Sequence, residues 1–346
     1  MAIPRKTLQI YSIFFIAMLL GACSRDKKVD VSNIDVNVTI QRLDKDFDAM
    51  RTKPMAVETP ILEQKYGAFY KNFLDLILET DNTNVNDTVY FKTLRDVLNG
   101  RPYLDLKNDV DSVYPDLDKQ NAELTDAFRR VRYYFPQQKI PHFYAYSSGF
   151  ATQISIGDDY IAVGLDLFLG ANSRFYPALT KVYPHYLSRN FTPDNIAPRV
   201  VETFLREDMF PENDNDQTLL NKMIYNGKIL YLMDKVLPDV PDSTKIGYTT
   251  AQVKWCTDNE AAIWGYFLDQ NLLYETDWDK IQKYLSVAPF TPGIGENNES
   301  SPKLGVWTGW QIVKKYMDKN PNITPVQLMA DTDAQKILNN SKYHPK

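Results

Sequence analysis

Apolar residues in this 346-residue chain recur at helical spacing almost everywhere and alternate in only two places. That contrast limits the fold more than any other feature, because a period of 3.6 and a period of 2 build different elements. The first exception is "IDVNVTIQRL", where Val36, Val38 and Ile40 alternate with polar neighbours as in a half-buried strand. The second lies between about 140 and 165. There "HFYAYSS", "FATQISIG" and "YIAVGLDLFLG" are short aromatic or β-branched runs separated by "SG" and "GDD", which predicts a small antiparallel sheet of two or three strands. Between the two, Thr59 followed by Pro60 predicts a helix start, with Tyr66, Tyr70, Phe73 and Ile77 on one face. Helices are also predicted over about 87–99, 102–114 and 118–135, with Gly100, Pro115 and Pro136 as breaks. Beyond Gly170 the pattern predicts helices at about 174–189, 193–209, 215–236, 249–271, 276–286, 303–319 and 324–340. Thr192-Pro193-Asp194 and Thr249 supply N-terminal signals. The expected class is α+β, mostly α-helical, a small antiparallel sheet plus a large helical region. Residues 34–346 read as a single globular domain, or as two lobes at about 34–137 and 138–346.

The first 22 residues stand outside that domain. Arg5 and Lys6 precede an apolar run, Ile10 to Ala22, that is shorter than the roughly 20 residues a bilayer span needs. A basic flank, a short apolar core and small residues at its end form a secretory signal. Leu20-Gly21-Ala22-Cys23 resembles a bacterial lipobox, which implies cleavage before Cys23 and lipid (diacylglycerol, palmitate-type chains) on its sulfur. Several acyl chains hold a protein to a membrane where one binds only marginally. Residues 23–33 then read as a polar tether. Ser24 favours the outer membrane over the inner, and the mixed, mostly basic "SRDKK" favours a periplasm-facing position. Without Arg5 and Lys6 the 39 basic side chains become 37 against 44 acidic ones, a formal charge of −7. That surface is a poor match to nucleic acid. With Cys23 lipidated, Cys256 has no intrachain partner, so an exported domain must rely on its core.

Motifs for chemistry are sparse. Three histidines occur, His142, His185 and His344, with no HExxH and no GxSxG. "GIGENN" lacks the GK[ST] ending of a phosphate loop. Cys256 sits in "KWCTDNE", beside carboxylates and not beside a histidine. In "GVWTGWQIVKKYM" the residues Val306, Trp310, Val313 and Met317 share a helix face, and Gly305 and Gly309 stand four apart. Glycine costs about 1 kcal/mol in a helix, so the pair predicts a tight backbone approach in the core. The minority reading is a partner or ligand groove at Trp307 and Trp310. Thr88, Ser112 and Ser243 each follow an aspartate in the pattern of Bacteroidota O-glycosylation acceptors.

A resemblance covers nearly the whole mature chain. It runs through "DVSNIDVNVTIQRLDKDF", "VRYYFPQQKIPHFYAYSS", "MIYNGKILYLMDKVLPDVPDSTKIGYTTAQVKWC", "NEAAIWGYFLDQNLLYETD" and "ESSPKLGVWTGWQIVKKYM" to the terminal "KILNNSKYHPK". Together these resemble the gliding-motility lipoprotein GldB family of Bacteroidota. The resemblance implies a non-catalytic cell-envelope lipoprotein, without cofactor, that binds other envelope proteins of the gliding and type IX secretion machinery. The alternatives are an envelope hydrolase of residual metallopeptidase type, or a lipid- or sugar-binding lipoprotein. A more distant likeness is to zincin-like metalloproteases. Laid on that pattern, Lys181-Val182-Tyr183-Pro184-His185 takes the HExxH position and Glu202 the third-ligand position. Only His185 keeps a ligand type and Val182 replaces the general base, so the likeness implies a pseudoprotease with His185 and Glu202 as vestigial metal candidates. Beside it stands the plainer reading, an exposed histidine and a solvated glutamate.

Overall fold

The computed structural model describes residues 28–78, 88–213, 215–295 and 298–346. The expected leader and Cys23 lie outside the described residues. The chain divides into two units, Met1–Asn33 and Ile34–Lys346. In the first, the Asp30 carboxylate accepts the Ser32 amide at 2.9 Å. The second carries the sheet and the helices. Its helices of seven or more residues, among those described, are numbered α1 to α12.

The N-terminal part runs β1 (Ile40–Arg42), α1 (Leu43–Ala49), α2 (Met55–Tyr66), α3 (Ala68–Leu78), α4 (Thr88–Asn99), α5 (Arg101–Val113) and α6 (Asp118–Tyr134). Strands β2 (His142–Tyr146), β3 (Ile154–Ile156) and β4 (Tyr160–Gly164) follow. The remainder holds α7 (Ile196–Thr203), α8 (Leu219–Val236), α9 (Thr250–Asp258), α10 (Glu260–Asp269), α11 (Leu304–Lys319) and α12 (Ala334–Ser341). The class is α+β and mostly helical, as the periodicity predicts.

The sheet departs from expectation. Its order is β1-β2-β4-β3; β1 and β4 both run parallel to β2, and only β3 is antiparallel to β4. The "SG" segment is therefore not a hairpin turn. Residues 147–153 carry the chain past one strand position, and β4 then inserts between β2 and β3. Asp166 fixes that crossing. Its buried carboxylate accepts the Ser148 amide at 2.8 Å, the Phe150 amide at 2.5 Å and the Ser148 hydroxyl at 3.1 Å. The outer edge of the first strand is closed by α6. Thr125 Oγ1 accepts the Val38 amide, Asn121 Oδ1 accepts the Ile40 amide, and Arg129 Nε donates to the Val36 carbonyl. An edge satisfied by side chains cannot recruit another strand.

Alternation along β2 and β4 divides the core. Tyr144, Tyr146, Tyr160 and Ala162 face an aromatic cluster with Phe47, Tyr66, Phe69 and Phe73 of α1–α3. Phe69 stacks on Tyr144 at 5.1 Å, and Phe73 meets Tyr146 edge-on at 5.7 Å. Phe143, Ala145, Ile161 and Val163 join the larger cluster, where Phe128 of α6 touches both Phe143 and Phe204. The result is three layers: α1–α4, the sheet, and a helical layer. Each large apolar side chain buried there contributes about 1.5–3 kcal/mol.

Several expected helices are shorter or shifted. Thr59 is not a cap: α2 starts at Met55 behind Pro54, Thr59 is buried, and Pro60 lies inside the helix. Gly67, at φ +57°, separates α2 from α3. The helix expected at 174–189 reduces to 3-10 residues Tyr176–Leu179 and a single turn, His185–Ser188. Pro184 removes a helical donor and pushes the preceding residue out of the α region. The stretches at 249–271 and 324–340 each break in two, at Asn259 and at residues 331–333. Thr249 does cap α9, in a capping box with Gln252.

Helices α8 and α11 cross at the centre of the helical layer. A Cβ on Gly309 would overlap the Met223 carbonyl, and one on Gly227 would overlap the Gly309 carbonyl. The small residues of "GVWTGW" thus serve a backbone approach, with Val306, Trp310, Val313 and Met317 all buried.

Candidate functional site, a basic cluster around Glu202

Trp307 and Trp310 are both buried, and the Trp310 indole donates to Asp234 at 2.9 Å beneath the Lys314 ammonium. Trp310 thus reaches from α11 to α8. Ser112 is exposed on the last turn of α5 and Ser243 is half-buried. Thr88 opens α4, with its side chain outside the described residues. The three histidines are exposed. Cys256 is fully buried, and burial pushes its thiol up to about 12 despite hydrogen bonds with Ser301 and Tyr248. Such a thiol is inert as a nucleophile at neutral pH.

His185 and Glu202 are separated by structure as well as by chemistry. Residues 181–184 form no helix, so His185 shares no helix face with position 181. Among the described residues, no three His, Cys, Asp or Glu side chains come together as a metal site. Glu202 is engaged elsewhere. It sits near the end of α7, which runs into a π-helical turn, Phe204–Met209; such turns recur at functional sites. Arg206 Nε donates to Glu202 Oε1 at 3.0 Å, and Arg199 Nη1 donates to Glu202 Oε2. Glu202 therefore sits between two guanidinium groups, three residues behind it and four ahead.

Two further cations complete the cluster. Arg189 Nη2 donates to Gln252 Oε1 at 2.9 Å and to the Gly247 carbonyl at 3.3 Å. Lys303 precedes α11 in a left-handed conformation, φ +41° and ψ +48°. Its place is set by the loop before it, where Thr291, Ser300 and Ser301 exchange buried hydrogen bonds and the Thr291 hydroxyl accepts the Leu304 amide.

The electrostatics follow from burial and count. Burial alone would raise the Glu202 carboxyl, but Arg199, Arg206 and Lys303 outweigh it and hold the group down at about 2. Burial depresses the Lys303 amine to about 8; Glu202 opposes this, while Arg199, Arg206 and Arg189 add to it. The side chains of Glu202, Arg199 and Arg206 keep 18%, 22% and 25% of their exposure, so solvent reaches the cluster. An arrangement of this kind can hold an anion. Its one carboxylate among the described residues is locked between cations and so is a poor general base at neutral pH.

Only part of this was visible in the sequence. Arg199, Glu202 and Arg206 stand at the helical spacings i+3 and i+4 that make ion pairs, whereas Arg189 and Lys303 reach the cluster only through the fold.

Fold and site together define a layered α+β protein whose chain converges on a buried basic cluster. The family described as gliding motility protein GldB matches residues 24–345. The chain belongs to that family, and so to the proteins associated with gliding motility. No curated protein and no solved structure matches it. Among the described residues no helix is long and apolar enough to cross a membrane.

Proposed function

We propose that this chain is a lipid-anchored envelope protein that serves gliding by binding other envelope proteins and catalyses no reaction of its own. The observation that carries the reading is the family match over residues 24–345, which starts one residue beyond Cys23. In this reading Cys23 bears the lipid, the globular unit faces the periplasm, and the outer membrane is its membrane. Its partners belong to the gliding machinery and the type IX secretion apparatus coupled to it. The engagement of the buried polar groups in structural contacts supports a scaffold role: Asp166 holds the sheet crossing, Asp234 holds Trp310 and Lys245, and Glu202 holds two arginines.

The test is genetic and biochemical. A deletion strain of a gliding host should lose surface spreading, regain it with the wild-type gene, and fail to regain it with Cys23→Ala. Affinity purification from membranes through a C-terminal tag should then recover motility or secretion proteins. Normal spreading and secretion in the deletion strain would overturn the reading.

A further inference from the structure

Charge around Glu202 does not balance. Among the described residues, Arg189, Arg199, Arg206 and Lys303 bring four positive charges to one carboxylate. The neighbouring acids are engaged elsewhere: Asp234 and Asp242 pair with Lys245 and Lys314, and Glu212 pairs with Lys222. Arg189 hydrogen-bonds only neutral acceptors, and its Nε, like that of Arg199, is buried without a partner among the described residues. Lys303 goes further. An ammonium has three donors, yet among the described residues Lys303 makes no hydrogen bond through its side chain and no ion pair within 4 Å. Two cations that no described carboxylate pairs, beside two that share one, make a cluster suited to negative charge.

We propose that the partly exposed cluster of Arg189, Arg199, Arg206 and Lys303 binds a doubly charged oxyanion of the phosphate-monoester type. Glu202 is the positioning residue. It fixes Arg199 and Arg206 through one face of each guanidinium, and Arg206 gives it only Nε. The Lys303 ammonium supplies a point charge, and Arg189 and Arg206 supply guanidinium donors for a tetrahedral oxyanion; Arg199 adds its charge, since its Nη2 already donates to the Thr244 and Lys245 carbonyls. The charge selects the class. Against an excess of three, a dianion leaves one positive charge and a monocarboxylate leaves two. The proposal is independent of the motility reading, since it concerns what the cluster holds and not which proteins the chain meets.

The experiment is calorimetric titration of the full-length protein in a neutral detergent at pH 7.5, at constant ionic strength in chloride. Inorganic phosphate and glycerol 3-phosphate should each bind saturably with one site per chain. Lys303→Met should weaken both at least tenfold without lowering the unfolding temperature, because it deletes an unpaired charge. Arg189→Gln should weaken them several-fold. Dihexanoyl phosphatidic acid below its micelle concentration distinguishes the sources. Binding more than tenfold tighter than glycerol 3-phosphate makes a lipid headgroup the ligand, and equal binding makes it a free phosphate. No saturable binding, equal binding by wild type and both variants, or a preference for acetate over phosphate would each overturn the assignment.

Discussion

Replacing Glu202 with glutamine tests whether one carboxylate neutralises this cluster. The substitution keeps the side-chain shape and one acceptor oxygen but removes the charge between Arg199 and Arg206. The wild-type carboxyl is held at about 2 against an ordinary 4.5, and a displacement of that size corresponds to about 3 kcal/mol. The side chain is only 18% exposed, so solvent screening removes little of this. A second route agrees: deleting one partner of a buried ion pair costs about 3–5 kcal/mol. Glu202→Gln should therefore lose about 3 kcal/mol at pH 7, a fall of about 5 °C in Tm for a unit of this length. The sign with pH follows from linkage. A carboxyl held below its unfolded value stabilises fully above the unfolded value, here 4.5, and loses that contribution as pH falls toward about 2. The gap between wild type and variant should thus narrow by about 1 kcal/mol on going from pH 6 to pH 3.5. Urea unfolding of both proteins at pH 7, 5 and 3.5 measures it. A variant as stable as wild type, or a gap that stays constant with pH, refutes the account of Glu202 as the cluster's counter-charge.

Three further outcomes follow from other parts of the fold. Gly309→Ala should destabilise by about 2–3 kcal/mol or prevent folding, because overpacking at the Met223 carbonyl outweighs the gain of about 1 kcal/mol in helix propensity; thermal unfolding that matches wild type would refute the close crossing. Asp166→Asn should cost about 1–3 kcal/mol, since an amide cannot accept from Ser148, Phe150 and the hydroxyl together. Hydrogen exchange should then accelerate at the amides of residues 148 and 150, and unchanged exchange would mean that Asp166 does not hold the sheet crossing. Burial depresses Lys228 to about 8 although Asp331 opposes it. The unfolded chain then holds more protons than the folded one between about pH 8 and 10.5, so wild type should gain stability over Lys228→Met as pH rises through that window. Denaturation at pH 7.5 and 9.5 checks the direction, and a flat difference contradicts it.

The sequence was most legible where pattern and punctuation coincide. Helices α6, α8 and α11 lie within a few residues of their expected bounds, and the Thr249 cap is present. Where two signals compete, the pattern misleads. Thr59-Pro60 has the form of a cap and first residue, yet Pro54 starts the helix earlier and Pro60 sits on its exposed face. At 174–189 the apolar spacing is helical, but Pro177 and Pro184 break it into turns. The parallel pairing of β2 with β4 had no local signal at all. A "SG" turn is compatible with a hairpin and with a crossover, and the choice is made by β4 inserting between the other two strands.

The cluster divides in the same way. "PRVVETFLRE" carries its own geometry: residues 199, 202 and 206 must meet on a helix, and they do. A search of the same segment for metal ligands singles out Glu202 and passes over its arginines. Arg189 and Lys303 are indistinguishable in sequence from solvated basic residues. What separates Lys303 from them is the buried loop of Thr291, Ser300 and Ser301 before it, and an ammonium that feels three guanidinium groups and, among the described residues, a single carboxylate. A basic residue becomes a ligand group when folding brings it more neighbours of its own sign than of the other. That imbalance depends on contacts more than a hundred residues apart, so no window of sequence contains it.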